Sequence, residues 1–339
     1  MESLEKSRAR RAVAASLCLL LAAVGVVVFA LNTGSIRLSP LNVLSTLLGN
    51  GTEEQELILF EYRLPRIIIT ALAGIGLGVA GAVLQGVSRN SLADPGILGL
   101  NAGAAFGLIV FVSFFRSMEG PTALLIPMFT FAGGVLTAIF IFLLSYDRNR
   151  GISPIRLILV GIAIEAGIGA VTLFLSLRLD EDIYSFASRW LAGSVWGREW
   201  IHVGSLFPWI ALLAPFIYSQ SKKLDVFALG DELAAGIGSR VTRNRIVLLA
   251  SAVALSCASV AMAGGIGFIG LVAPHIARRL AGPQHRYFLP IAGIVGLLVL
   301  VTADTIGRSV FQPVAIPAGV VVALVGGPYF LYLLFKIKF

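Results

Sequence analysis

The chain has 339 residues, 57% of them hydrophobic and only 13% charged, with a net charge of +8 at pH 7. A soluble domain carries roughly 25% charged residues, so this composition cannot coat a globule of this length in water and excludes a soluble enzyme. The positive balance then belongs to membrane topology, with Lys and Arg gathered in cytoplasmic loops, rather than to nucleic-acid binding.

The chain is expected to be an all-α polytopic membrane protein of about ten transmembrane helices, because an uncharged helix of about twenty residues is ~30 Å long, the thickness of a bilayer core. A basic start, MESLEKSRARR, precedes the first apolar run at 12–31. That run is long for a signal peptide and lacks an Ala-x-Ala-like cleavage pattern, so it reads as a retained first span. A polar loop with Glu53, Glu54, Glu56 and Glu61 leads to the second span at 66–86, and further spans are expected at 97–115, 122–145 and 155–177. The stretch 178–200 is too polar to span, and its Tyr184, Trp190, Trp196 and Trp200 suit a membrane–water interface. The remaining spans are expected at 201–219, 246–263, 266–277 (short), 288–306 and 314–335. Ten passes with a cytoplasmic N-terminus put both termini inside and place 18 of the 26 Lys and Arg there, among them Arg89, Arg148, Arg150, Arg240 and Arg278. Arg37, Arg63, Arg66, Arg116, Arg178, Arg189, Arg198 and Arg308 fall outside. This bias obeys the positive-inside rule. A faint echo, RIIITALA at 66–73 and RIVLLASA at 245–252, lies an odd number of spans apart, so the two halves run in opposite directions.

Cys18 and Cys257 lie in apolar runs without CxxC or Cys/His spacing, which indicates neither a disulfide framework nor a zinc site. No GxxxxGK[ST], HExxH, nucleophile elbow or pair of catalytic carboxylates occurs. The chain is therefore expected to be no enzyme, and uphill transport must draw on a partner or an ion gradient. In LDVFALGDELAAGIGSRVTRNR (224–245), Asp231 and Glu232 suit the start of a short helix that Gly236 and Gly238 end. Its small residues offer a surface for another protein, or it is an ordinary solvated loop. GGIGFIGLVAPHIARRLAG (264–282) reads as a broken half-length span interrupted by Pro274, with His275 a structural histidine or else a metal or proton site. Glu165 sits mid-span, where a carboxylate is costly; it either bonds a neighbouring helix or lines a solute path, and Glu165, Gly161 and Gln85 are the candidates for such a path. Asp304 and Arg308, four apart, can pair on one helix face, or Arg308 joins Arg63 and Arg66 in an outward basic patch.

RLPR (63–66), RNSLADPGILGLNAGA (89–104), LGDELAAGIG (229–238), GGIGFIGLVAPHIAR (264–278) and ADTIGR (303–308) occur in this order. Together they resemble the iron–siderophore and cobalamin permease family of binding-protein-dependent ABC importers, over about 60–335. One departure is Ser91, where the family usually has proline. The resemblance implies a single permease domain over 1–339, with the coupling segment at 225–240, and opposed halves covering spans two to five and seven to ten. It implies a paired permease (a second copy or a sister chain), two cytoplasmic ATPase subunits and an extracytoplasmic binding protein. Arg63, Arg66 and Arg308 match the residues that dock the binding protein. Gly230, Asp231, Glu232, Ala234, Ala235, Gly236 and Gly238 fall where the ATPase couples. The chain itself is then expected to bind no cofactor and no metal, with ATP and Mg²⁺ on the partner and iron carried as a chelate. The expected function is the permease subunit of a ferric-siderophore importer in a bacterial plasma membrane. Haem or cobalamin import is the alternative within the family. A secondary transporter with Glu165 as proton carrier is the rival from another class.

Overall fold

A computed structural model describes residues 2–34, 36, 38–96, 99–115, 124–147, 151–152, 154–310 and 314–336. Arg37, Arg116, Arg148 and Arg150, all counted in the charge layout, lie outside the described residues. The helices that correspond to the ten expected passes are α1 (Glu2–Asn32), α4 (Leu64–Ser88), α5 (Leu100–Phe114), α6 (Leu125–Ser145), α7 (Pro154–Ser176), α9 (Trp200–Ser219), α12 (Val241–Ala263), α13 (Ile269–Ala281), α14 (His285–Ser309) and α15 (Ala318–Lys336). Among the described residues eight helices are long and apolar enough to cross a bilayer alone, while α5 and α13 are half-length.

The connections carry more structure than their polarity suggests. The loop after α1 holds α2 (Pro40–Leu47), started by the Ser39 hydroxyl accepting from the Asn42 N–H, and α3 (Glu53–Glu56), started by a reciprocal Thr52–Gln55 capping box. A π-helical stretch, Leu57–Arg63, runs straight into α4. The interfacial stretch contains α8 (Glu181–Leu191), which is strongly amphipathic and buries Ala187 and Trp190. A small antiparallel hairpin, β1 (Tyr146–Asp147) with β2 (Gly151–Ile152), joins α6 to α7. Between α9 and α12 lie α10 (Ser221–Phe227) and α11 (Asp231–Gly236).

The halves α4–α7 and α12–α15 repeat the same plan in opposite directions. Each begins with a long buried helix, α4 or α12. An unwound stretch follows and ends on a left-handed residue, Gly99 (φ 71°) or Phe268 (φ 65°). A half-length helix, α5 or α13, starts there, and two long helices complete the half. Packing repeats too: α4 lies against α14 as α12 lies against α6, and α4 meets α12 between them.

The three central helices, α4, α12 and α14, are the most buried spans, whereas α1 and α7 bury little and present Leu17, Leu21, Phe29, Leu159 and Leu173 outward. Close approach at the centre depends on glycine, as it does wherever membrane helices pack backbone to backbone. A Cβ added to Gly296 would stand 2.1 Å from the Gly74 carbonyl oxygen, and one added to Gly74 would stand 2.5 Å from that of Gly296. Gly81 meets the Gly270 carbonyl just as tightly, at 2.0 Å. That carbonyl faces Pro274, four residues on, which has no N–H to give it. The Gln85 side-chain amide donates to it at 3.5 Å and to the Leu271 carbonyl at 3.4 Å, so a buried polar group serves the first turn of α13, which, against the expectation of a broken span, runs unbroken through Pro274.

Candidate functional site

Functional side chains gather at the two ends of the central helices. One end, called upper here, holds the C-terminus of α1, the N-terminus of α4 and the C-terminus of α14. The last carbonyls of α1 have no intrahelical partner, and two arginines supply donors. Arg63 donates to the carbonyls of Leu31 and Ile36, and Arg308 to those of Ala30 and Thr33. Arg66 forms a bidentate pair with Asp304, at 3.0 Å from Nε and 2.7 Å from Nη2. Arg308 approaches the same carboxylate at 3.8 Å.

The three arginines assigned from sequence to an outward patch are thus neighbours, but their orientation differs from that expectation. Arg63 and Arg308 are only 5% and 9% exposed and are spent on α1, whereas the Arg66 side chain is 18% exposed. The cause is α1 itself, which lacks a basic residue in its last turn. Asp304 pairs chiefly with Arg66 rather than with Arg308 one helical turn away. Beside the cluster opens a cleft of about 730 Å³, lined by Arg63, Arg66, Arg198, Glu61, Glu199 and Trp196. Two further bonds build its far wall: Arg198 donates to the Met262 carbonyl at 2.7 Å, and the Trp200 indole to the Phe60 carbonyl at 2.8 Å.

Midway along, Gly99 at the head of α5 lies against Gly161 and Glu165 of α7. Gly161 is buried and Glu165 half-buried. Gln85, grouped with them from sequence, is instead buried against α13. Asp94 in the unwound stretch accepts from the Gly96 N–H at 2.8 Å and stands beside Gly270 at the head of α13. His275 packs edge-on against Tyr329, ring centroids 5.7 Å apart. Among the described residues no group of three or more His, Cys, Asp or Glu is placed to hold a metal.

The lower end holds α10 and α11. Gly230 caps α11 with φ 99°, a conformation that favours glycine. Ala234 is buried, while Glu232, Ala235, Gly236 and Gly238 are exposed beside Leu233 and Ile237. The Asp231 side chain is part-exposed, and its carboxylate accepts from Arg89 at 2.8 Å and from Arg245 at 2.8 and 3.0 Å. Arg245 also lies over the Phe227 ring, 5.6 Å from its centroid. On α10, Asp225 accepts from the His285 backbone N–H at 2.9 Å and meets the His285 ring at 2.7 Å. Burial acts to raise the Asp225 carboxyl, but the hydrogen bonds from His285 outweigh it and hold the group below the ordinary carboxylate value. A cleft of about 640 Å³ beside α11 is rimmed by Lys223, Arg240 and Arg243.

This helical fold is shared with proteins already described. The model of the FecCD transport family matches residues 19–336. The chain belongs to that family. It is 44% identical over 317 residues to the iron(3+)-hydroxamate import system permease of Bacillus subtilis (strain 168), covering 92% of this chain and 94% of the relative. It is 37% identical over 285 residues to the Fe(3+) dicitrate transport system permease of Escherichia coli (strain K12), covering 84% and 87%. A solved metal-chelate type ABC transporter in an inward-facing conformation superposes with a TM-score of 0.82 at 29% identity, covering 95% of this chain and 99% of that one. This FecCD-family chain is accordingly an ABC permease, a transport component of the membrane rather than an enzyme.

Proposed function

We propose that this permease carries ferric siderophores inward across a bacterial plasma membrane by alternating access, with ATP hydrolysed in a separate subunit. The observation that carries the reading is the fold's polarity. One charged cleft and one short-helix segment sit at opposite ends of the same three central helices, in a chain that matches iron-chelate permeases nearly end to end. The upper end is the outer face, where the cleft bearing Arg66 receives an extracytoplasmic binding protein, and Arg63 and Arg308 hold α1 around it. The lower end is cytoplasmic, as are both termini, and segment 225–240 meets two ATPase subunits. The exposed Glu232, Ala235, Gly236 and Gly238 form the contact, and Gly230, Asp231 and Ala234 shape it.

A second permease subunit, either another copy or a sister chain, covers α7. That helix buries little yet carries Glu165, and a carboxylate facing lipid is costly. The solute path then runs along Glu165 and Gly161, while Gln85 holds α13. The chain binds no cofactor or metal of its own; ATP and Mg²⁺ sit on the partner, and iron travels inside its chelator.

Deleting the chain from its host and measuring uptake of radiolabelled iron as hydroxamate, citrate and catecholate chelates, beside haem and cobalamin, tests the substrate class. Uptake of at least one siderophore is expected to fall to background. Loss confined to haem or cobalamin overturns the assignment.

A further inference from the structure

The Asp231 carboxylate does more than begin a six-residue helix. It joins three elements that are far apart in sequence: α11, the first turns of α12 through Arg245, and the residue that caps α4, Arg89. Arg89 itself is held in the left-handed conformation (φ 55°), which turns the chain from α4 into the unwound stretch before α5. Asp225 makes a second tie, from α10 to His285 at the start of α14. The segment between α9 and α12 is therefore fastened by two carboxylates to α4, α12 and α14, the three most buried spans. Those spans include the leading helices of both opposed halves.

We propose that Asp231 is a positioning residue of the transport cycle: by bridging Arg89 and Arg245 it passes movement of α11 directly to both halves at once, beside the chain connections of α11 to α10 and α12. Without the Arg89 arm, α11 can shift with the ATPase while α4 and its unwound extension stay behind. This inference rests on the permease reading given above. The geometry behind it is direct: the Arg89 and Arg245 Nη2 atoms each lie 2.8 Å from the same Asp231 oxygen. The Arg245 side chain is buried, while Arg89 is 40% exposed, so the Arg245 arm is the firmer of the two.

The test is a double-mutant cycle in the whole transporter, with permease pair, ATPase and binding protein reconstituted in lipid vesicles. The readout is the amount of radiolabelled iron(III)–hydroxamate imported per ATP hydrolysed. Asp231→Asn and Arg89→Gln are each expected to lower that ratio about tenfold, within the range of typical coupling energies, and Arg89→Gln, which lies outside the ATPase contact, is expected to leave ATPase co-purification at the parent level. The double variant is expected to be no worse than Asp231→Asn alone, because that variant already removes the link to Arg89. Parent-like coupling in Arg89→Gln, or multiplicative loss in the double variant, overturns the inference. If Asp231→Asn does not accumulate, Asp231→Cys with Arg89→Cys in a background lacking the two native cysteines decides the question. A short reducible cross-linker is expected to restore coupling and reductant to remove it; no change on cross-linking counts against the bridge. The parent complex separates the two levels: if it fails to import, the permease reading fails, and if it imports while the variants match it, only the bridge is refuted.

Discussion

Replacing Asp304 with alanine is expected to be the most damaging single change at the upper end. Asp304 is buried and faces Arg66 and Arg308, with Arg63 nearby. Removing it leaves two guanidinium groups without their counter-charge at a site water barely reaches. Breaking a buried pair from one side costs about 3–5 kcal/mol, because the remaining charge is uncompensated. The loss is to be read as lowered thermal and denaturant stability of the purified permease in detergent, and as weaker retention of α1. Asp304→Asn keeps an acceptor and is expected to cost less. Replacing Arg66 and Asp304 together with Met and Leu is expected to recover much of the stability, because a well-packed apolar pair avoids the desolvation cost. If Asp304→Ala stays within about 0.5 kcal/mol of the parent, as an ordinary surface substitution does, the cluster is not what secures this end.

The second large effect is expected where α4 and α14 touch. Gly296→Leu forces a side chain into the Gly74 backbone, where even a Cβ has only 2.1 Å. Neither backbone can yield without parting the two helices that carry the upper cluster on one end and the His285 tie on the other. Overpacking usually costs about 1–3 kcal/mol, and this site is expected at or above the upper limit, with loss of transport. Gly25→Leu on α1 provides the control: nothing lies within 4 Å of its added Cβ. It is expected to fold and transport normally. Equal behaviour of the two variants in a thermal-stability assay contradicts the packing account.

Much of this architecture is legible in one sequence, for a physical reason. A bilayer imposes length and apolarity on each pass, so the positions of the spans follow from hydropathy. The glycines and Pro274 of 264–278 suggest a span broken at the proline, but α13 runs unbroken from Ile269 to Ala281 through Pro274, and the unwound residues lie before it, among the glycines of 264–267. Its counterpart α5 does not show as half-length. The run from 97 to 115 is mostly apolar, so hydropathy places α5 but does not say that its first turn begins at Leu100.

Partnerships across the fold are the other hidden layer. Arg66 and Asp304 are 238 positions apart, Arg89 and Asp231 142, and Asp225 and His285 60. Periodicity reports neighbours within one helix, so the sequence suggests Asp304 with Arg308, the pair the fold makes secondary. The same limit hides the burial of Arg63 and Arg308. Their charge places them at the upper end, but only the fold reveals that the open carbonyls of α1 claim them. Gln85 suggests a path-lining amide until Pro274 of another helix is seen to have left a carbonyl for it.

The source of energy is the central claim, and transport in sealed vesicles tests it most directly. The permease is reconstituted with its pair, ATPase and binding protein, and radiolabelled iron(III)–siderophore uptake is followed with ATP supplied on the ATPase side and all ion gradients collapsed by ionophores. Uptake is expected to proceed, to stop when the ATPase is inactivated, and to survive Glu165→Gln at least in part. Uptake by the chain in vesicles lacking any ATPase, driven by an imposed proton gradient and abolished by Glu165→Gln, contradicts the account and makes the protein an ion-coupled carrier.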